Sequence, residues 1–177
     1  MPRSPHPTAP EAAVTLDRER DDLLGTLAEH RFFLRRTADG LTDDQARLRT
    51  GASELTVGGT IKHCVAQERI WTDFLVRGAA AHDLPDSAFE AQFVLGPDET
   101  LAGVLAELDE VAAATEELVR SFDDLDTDVA LPTAPWFPPG ARWSRRKVLV
   151  HLLAEIAQHS GHADVVREGI DGAKTMG

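Results

Sequence analysis

Residues 144–172, SRRKVLVHLLAEIAQHSGHADVVREGIDG, constrain what this chain can fold into more than any other stretch. No proline interrupts them, Ser144 is an N-cap residue type and Gly172 a stop, so the spacing predicts one amphipathic helix of about seven turns. At about 100° per residue, Glu155, His159 and His162 fall within roughly 60° of one another, with His151 close beside them. The neighbouring apolar arc, Val148, Leu149, Leu152, Leu153, Ile156, Val166 and Ile170, is a core face. A carboxylate and up to three imidazoles at the border of a core are costly to leave without a partner.

The rest of the chain supplies the elements that cover this helix. Residues 1–13 contain four prolines and little that can be buried, and are expected to form a disordered tail ahead of one domain over 14–177. A first helix is predicted from a Thr15 cap to a Gly40 stop, with Leu16, Leu23, Leu24, Leu27, Phe32, Phe33 and Leu34 as its apolar face. Thr56–Val76 reads as the second helix, ending at Gly78. Its glycine pair, Gly58 and Gly59, weakens the first turn by about 1 kcal/mol each, and close backbone approach is a reason to keep them. Residues 79–97 break the period and suit the long crossover that a parallel or diagonal connection in a four-helix bundle requires. Asp98–Phe122 is the third helix, a scaffold without histidine. A proline-rich loop follows, anchored by Trp136, Phe137 and Trp143, and a loop of that length is expected to cover the mouth of a pocket. The fold class is therefore all-α, a four-helix bundle with a long crossover between helices 2 and 3.

His63, on a partly apolar face of the second helix with Gln67, Ile70 and Phe74 near its direction, is an inward histidine. With Glu155 and His159, one turn apart on the fourth helix, it makes a candidate ligand set for one divalent metal. Three protein ligands with an open position describe a catalytic zinc site. His162 is then an alternative ligand, a neighbour of the ligands or the group that handles a proton. Each residue also has a plainer reading: His63 as a hydrogen-bonded core histidine, Glu155 as a solvated partner of Lys147, His151 as a border residue. His6, His30 and His82 are most simply exposed. Arg145, Arg146 and Lys147 are a solvated first turn or, because cations there oppose the helix dipole, the neighbours of an anionic ligand. Cys64 is a small buried hydrophobe. Neither His-Glu-x-x-His nor Glu-x-x-His occurs, which removes the zinc-protease and ferritin-type readings.

Composition narrows the partners. A net charge of −12 repels phosphate backbones, so nucleic acid is not expected. No apolar run approaches the roughly 18 residues of a membrane span. One cysteine allows no internal disulfide, and MPRSPHPTAP lacks the apolar core of a signal peptide, so the cytoplasm is the expected compartment. Exposed faces of the first and third helices leave room for a homodimer.

Two stretches, IKHCVAQERIW (61–71) and VLVHLLAEIAQHSGHADVVREGIDG (148–172), closely resemble the DinB-like superfamily, in particular its mycothiol-dependent, maleylpyruvate isomerase-like branch of metal-binding four-helix proteins. The superfamily usually supplies a histidine from the second helix and a His-xxx-His pair from the last helix to nickel or zinc. Here Glu155 stands at the first position of that pair, which agrees with the mycothiol-dependent branch. The resemblance implies a zinc (or nickel) site at His63, Glu155 and His159, mycothiol as co-substrate, and a thiol S-transferase or isomerase acting on a small electrophile. His162 is then the candidate for proton management, and Arg145, Asp164 and Arg167 for holding polar groups of the thiol. The alternatives are a metal-dependent hydrolase using a metal-bound water and a non-catalytic metal-binding stress-response module.

Overall fold

A computed structural model describes residues 9–175, with side chains from residue 16 onward. Six helices and a two-stranded ribbon follow one another: α1 (Ala9–Arg36), α2 (Asp43–Ala46), α3 (Val57–Arg77), a 3-10 turn (Gly78–His82), α4 (Asp86–Ala91), α5 (Leu101–Ser121), β1 (Asp128–Ala130), β2 (Arg142–Ser144) and α6 (Arg145–Asp171). The chain is all-α apart from that small ribbon. Of the predicted tail, residues 1–8 lie outside the described residues, and α1 already begins at Ala9, so Thr15 is not its cap. Pro10 falls in the first turn, where its missing N–H has no intrahelical partner to lose.

Capping chemistry sets the other long helices. Thr56, Thr100 and Ser144 each accept a hydrogen bond from the backbone N–H three residues on, at 3.0, 3.0 and 3.1 Å. Thr100 places the start of α5 at Leu101 rather than at Asp98. At the far end of α6, Gly172 takes the left-handed conformation (φ 79°) that a β-carbon disfavours, and its N–H closes on the Glu168 carbonyl.

Side-chain contacts give the helix directions. Glu19 meets Arg146 and the Thr37 carbonyl meets Arg167, so α1 and α6 run the same way. His63 faces Glu155 while Trp71 faces His151, so α3 and α6 are antiparallel. The pairs Lys62–Glu99 and Arg69–Glu107 show α3 and α5 running together, which is why a long crossover must join them. Between the helices the core holds Leu27 and Leu34 of α1, Ile61 and Phe74 of α3, Val119 of α5, and Leu149, Leu152 and Ile156 of α6, all essentially inaccessible.

One part of this interior is ionic. Arg31 sits on the core stripe of α1, and donates both from Nε (3.0 Å) and from Nη2 to the carboxylate of Glu68, which is 0% exposed. Thr115 of α5 donates to the same carboxylate. Because Arg31 takes the inward position, Phe32, about 100° round the helix, is 54% exposed rather than part of the core face.

Both glycines at the start of α3 are explained by close approach. A β-carbon on Gly58 would lie 2.7 Å from Leu95 Cδ2, and one on Gly59 only 2.1 Å from the Phe93 carbonyl oxygen. The crossover therefore docks its backbone directly on α3, with Lys62 Nζ (3.0 Å to the Val94 carbonyl) and Arg47 (2.9 Å to the Gly96 carbonyl) tying it down.

Candidate metal centre

His63 enters the interior from the second turn of α3, and Glu155 and His159 project from the middle of α6. One donor atom from each lies within 4.8 Å of the others. Glu155 Oε2 stands 3.6 Å from His159 Nε2 and 4.0 Å from His63 Nε2. These separations are too long for hydrogen bonds. They are close to the ~3.4 Å expected between donors that share one tetrahedral ion at about 2.1 Å each. Nδ1 of both His63 and His159 is buried without a hydrogen-bonded protein partner among the described residues. Two imidazoles and one carboxylate are a donor set suited to a divalent ion, and the residues present fit one.

The protonation states agree with that use. Burial pushes the pKa of His63 down to about 4, helped by the neighbouring His159 and opposed by Glu155, so one of its ring nitrogens keeps a free lone pair at neutral pH. The His159 imidazole, with His151 and His63 behind it, holds the Glu155 carboxyl below its ordinary range against the cost of burial. Cys64, next to His63 in sequence, is buried and its thiol is pushed upward by desolvation, so it stays protonated and apolar.

Around the triad the structure adds residues that sequence periodicity left aside. His151, read as a border residue, puts Nε2 4.0 Å from the second oxygen of Glu155 and sets its ring edge-on to Trp71 (4.7 Å) and Trp143 (5.1 Å). Its position one turn before Glu155 was the signal for this. Phe93 stacks on His63 with ring centroids 4.1 Å apart and planes 17° from parallel. Nothing in the sequence marks that contact, since it depends on where the crossover docks. His162 packs edge-on to His159 at 5.4 Å, outside the ligand set, with Nδ1 buried and unpartnered by protein. His82 is not exposed as expected but half-buried against Trp71 (4.8 Å) and Phe74 (5.5 Å).

Three further residues are not brought to the triad. Arg145 lies ten residues, about 15 Å of helix axis, before Glu155. Its guanidinium caps the Phe122 ring (4.1 Å) and donates to the Asp124 carbonyl (3.1 Å). Arg167 is buried two turns past His159, donating to both Asp171 oxygens and to the Thr37 carbonyl at 2.8 Å each. Asp164, about 140° round α6 from His159, accepts from the Thr175 N–H at 2.8 Å. The basic first turn of α6 is met by acids of its own chain: Asp124 for Arg145, Glu19 and Asp126 for Arg146. Their charges offset the unfavourable dipole and leave those two cations engaged.

The proline-rich loop covers a neighbouring space rather than the triad itself. β1 and β2 pair antiparallel with Val129 opposite Trp143, clipping residues 131–141 into a hairpin. Pro132, Trp136 and Phe137 of that hairpin face Gln67, Trp71 and His82 across a half-open cavity of about 340 Å³. Gln67 and Trp71 are one and two turns beyond His63 on α3, so the cavity adjoins the triad along the same helix.

A helical bundle with a half-buried two-histidine, one-carboxylate cluster on its second and last long helices is a protein of the DinB-like class. Within that class the profile of the mycothiol-S-transferase family matches residues 22–172, and the chain belongs to that family. Among solved structures, the crystal structure of a conserved protein from Enterococcus faecalis superposes with a TM-score of 0.68 at 17% identity, covering 86% of this chain and 97% of that one. That likeness concerns the fold. No curated protein matches in sequence. No helix among the described residues is long and apolar enough to cross a membrane.

Proposed function

We propose that this protein is a divalent-metal-dependent S-transferase that joins a low-molecular-weight thiol, mycothiol, to a small electrophile. The observation that carries this reading is the convergence of His63, Glu155 and His159 within 4.8 Å, in a chain of the mycothiol-S-transferase family. Two imidazoles and a carboxylate suit zinc best and nickel next. When bound, such an ion supplies a Lewis-acid site that favours the thiolate, the nucleophilic form of the thiol.

The remaining work falls to the chain's own residues. His63 offers a neutral nitrogen and His159 a second imidazole, and the ionised Glu155 would offset part of the ion's charge. His151 stands beside the second oxygen of Glu155, 4.0 Å away. Phe93 shields the His63 ring from water. The nucleophile must come from outside, because Cys64 is buried and its thiol stays protonated. As the new carbon–sulfur bond forms and the electrophile's bond to its leaving group breaks, the thiol proton passes to His162, whose ring lies beside His159.

Thiol consumption with a generic alkylating electrophile tests the reading, using protein stripped by chelator and then resupplied with zinc. Stripping is expected to abolish the catalysed rate and zinc to restore it. His162→Gln should slow the reaction on the order of a hundredfold, the size of a lost proton acceptor. An unchanged rate after stripping overturns the proposal, and product formed without thiol points instead to hydrolysis.

A further inference from the structure

The cavity under the hairpin has a chemistry of its own. Its walls are Trp71, Phe89, Trp136, Phe137 and Ile70, with Asp83 as its one charged group. No lysine or arginine lines it among the described residues. Trp71 is a fixed floor: it stacks on Trp143 at 5.0 Å with planes 14° apart, and Phe74, His82 and His151 pack edge-on around it. Trp136, by contrast, is 76% exposed and touches only Phe137 among the aromatic rings, at 6.2 Å. A large apolar ring left in water at the mouth of an apolar cavity gains burial only when something enters beneath it.

We propose that this cavity holds the electrophile during thiol transfer, and that it selects neutral or cationic molecules carrying one or two flat aromatic rings and rejects carboxylates. The inference rests on the thiol-transfer reading above, and supplies its substrate class. Size is one argument. About 340 Å³ is roughly twice the 150 Å³ cavity that takes up one benzene, so a two-ring molecule fills it. Charge is another. A carboxylate entering here would lose water and meet no cation, while Asp83 at the rim repels it. A third argument excludes the polyhydroxylated part of a sugar thiol as the occupant. Gln67 already donates to Gln92 at 3.0 Å, so His82, Asp83 and Thr133 are the polar side chains left in a mostly apolar lining, too few for many hydroxyl groups. Finally, the face of α3 that carries His63 continues as Gln67 and Ile70 into the cavity wall, and His151 stands between Trp71 (4.7 Å) and Glu155 (4.0 Å), so one side chain separates a ring seated on Trp71 from the triad.

The experiment is calorimetric titration of the full-length protein with three probes: 2-naphthol (neutral), 2-naphthoate (its carboxylate counterpart) and myo-inositol. The neutral probe is expected to bind, the carboxylate at least about tenfold more weakly and inositol not measurably. Trp136→Ala, at an exposed position that does not threaten folding, should weaken the neutral probe about fivefold to tenfold. Asp83→Asn should strengthen 2-naphthoate about threefold and leave 2-naphthol within twofold, the size expected of one screened charge at the surface. Equal binding of the two naphthyl probes, binding of inositol alone, or indifference of 2-naphthol to Trp136→Ala each overturns the assignment. His63→Ala separates the two readings, because it removes a donor of the triad and no wall of the cavity. His63→Ala should therefore keep ring binding and lose thiol consumption, whereas wild type that binds the ring yet consumes no thiol refutes thiol transfer alone. Thiol consumption with aliphatic or carboxylate electrophiles, in a protein that binds no ring, refutes the cavity assignment alone.

Discussion

Replacing Glu68 by glutamine keeps the volume of the side chain and removes its charge, so the effect reads the ionic network of the core without creating a cavity. Glu68 is fully inaccessible, and Arg31, 8% exposed, has both its bonded nitrogens on that carboxylate. The glutamine amide can accept from only one of them and turns an N–H₂ toward the other. Breaking one side of a buried pair typically costs about 3–5 kcal/mol because the remaining charge is uncompensated. The slight exposure of Arg31 puts the expected loss near the lower end, about 3 kcal/mol. For a chain of this length that corresponds to a fall in Tm of about 6–12 °C. Chemical denaturation of wild type, Glu68→Gln, and the double variant Arg31→Met, Glu68→Leu measures it. The double variant should recover most of the loss, since an apolar pair of similar volume carries no desolvation cost. A loss below about 1 kcal/mol for Glu68→Gln, or a double variant less stable than the single one, would refute the view that the uncompensated Arg31 charge governs the effect.

Other outcomes follow from the same contacts. Gly59→Ala places a β-carbon 2.1 Å from the Phe93 carbonyl, so the crossover must retreat by more than 1 Å to reach ordinary van der Waals contact. Stability should fall by about 1–2 kcal/mol, overpacking outweighing the better helix propensity of alanine, and the chemical shifts of the His63 ring should move as Phe93 lifts; neither change would contradict the docking. In metal-free protein, His63 takes up its proton near pH 4 when folded and near 6.5 when unfolded. The unfolded state therefore binds more protons between these values, and stability should decline as pH falls from 6.5 to about 4. A His63→Gln variant should show a shallower decline, and an identical slope would exclude His63 as its source. Cys64→Ala should leave thiol consumption within about twofold, as expected for a side chain that acts only by packing, and a total loss would make Cys64 a participant.

Much of this architecture is legible in the residues because its rules are local. Threonine and serine caps, glycine stops and the 3.6-residue period place α3 and α6 within a residue or so, and the one-turn spacing of Glu155 and His159 puts both on one face. The glycine pair announces a close backbone neighbour for the same reason: no β-carbon fits there. What periodicity misses depends on long-range docking. Arg31 reads as polar, yet it is inside because Glu68 and Thr115 from two other helices meet it. Phe93 covers His63 only because the crossover folds back onto Gly59. The partners of Arg145, Asp164 and Arg167 within the chain are likewise not readable from nearness in sequence. Their charges are taken up by Asp124, the Thr175 N–H and Asp171 respectively, which hold the ends of α6 in place.

The central claim concerns the three converging side chains, and metal content tests it most directly. Protein purified without chelator should carry about one divalent ion per chain, and His63→Ala and His159→Ala should each lose it while retaining the helical circular dichroism of wild type. Wild type without a stoichiometric ion after exposure to zinc or nickel, or both variants still holding one, would contradict the account.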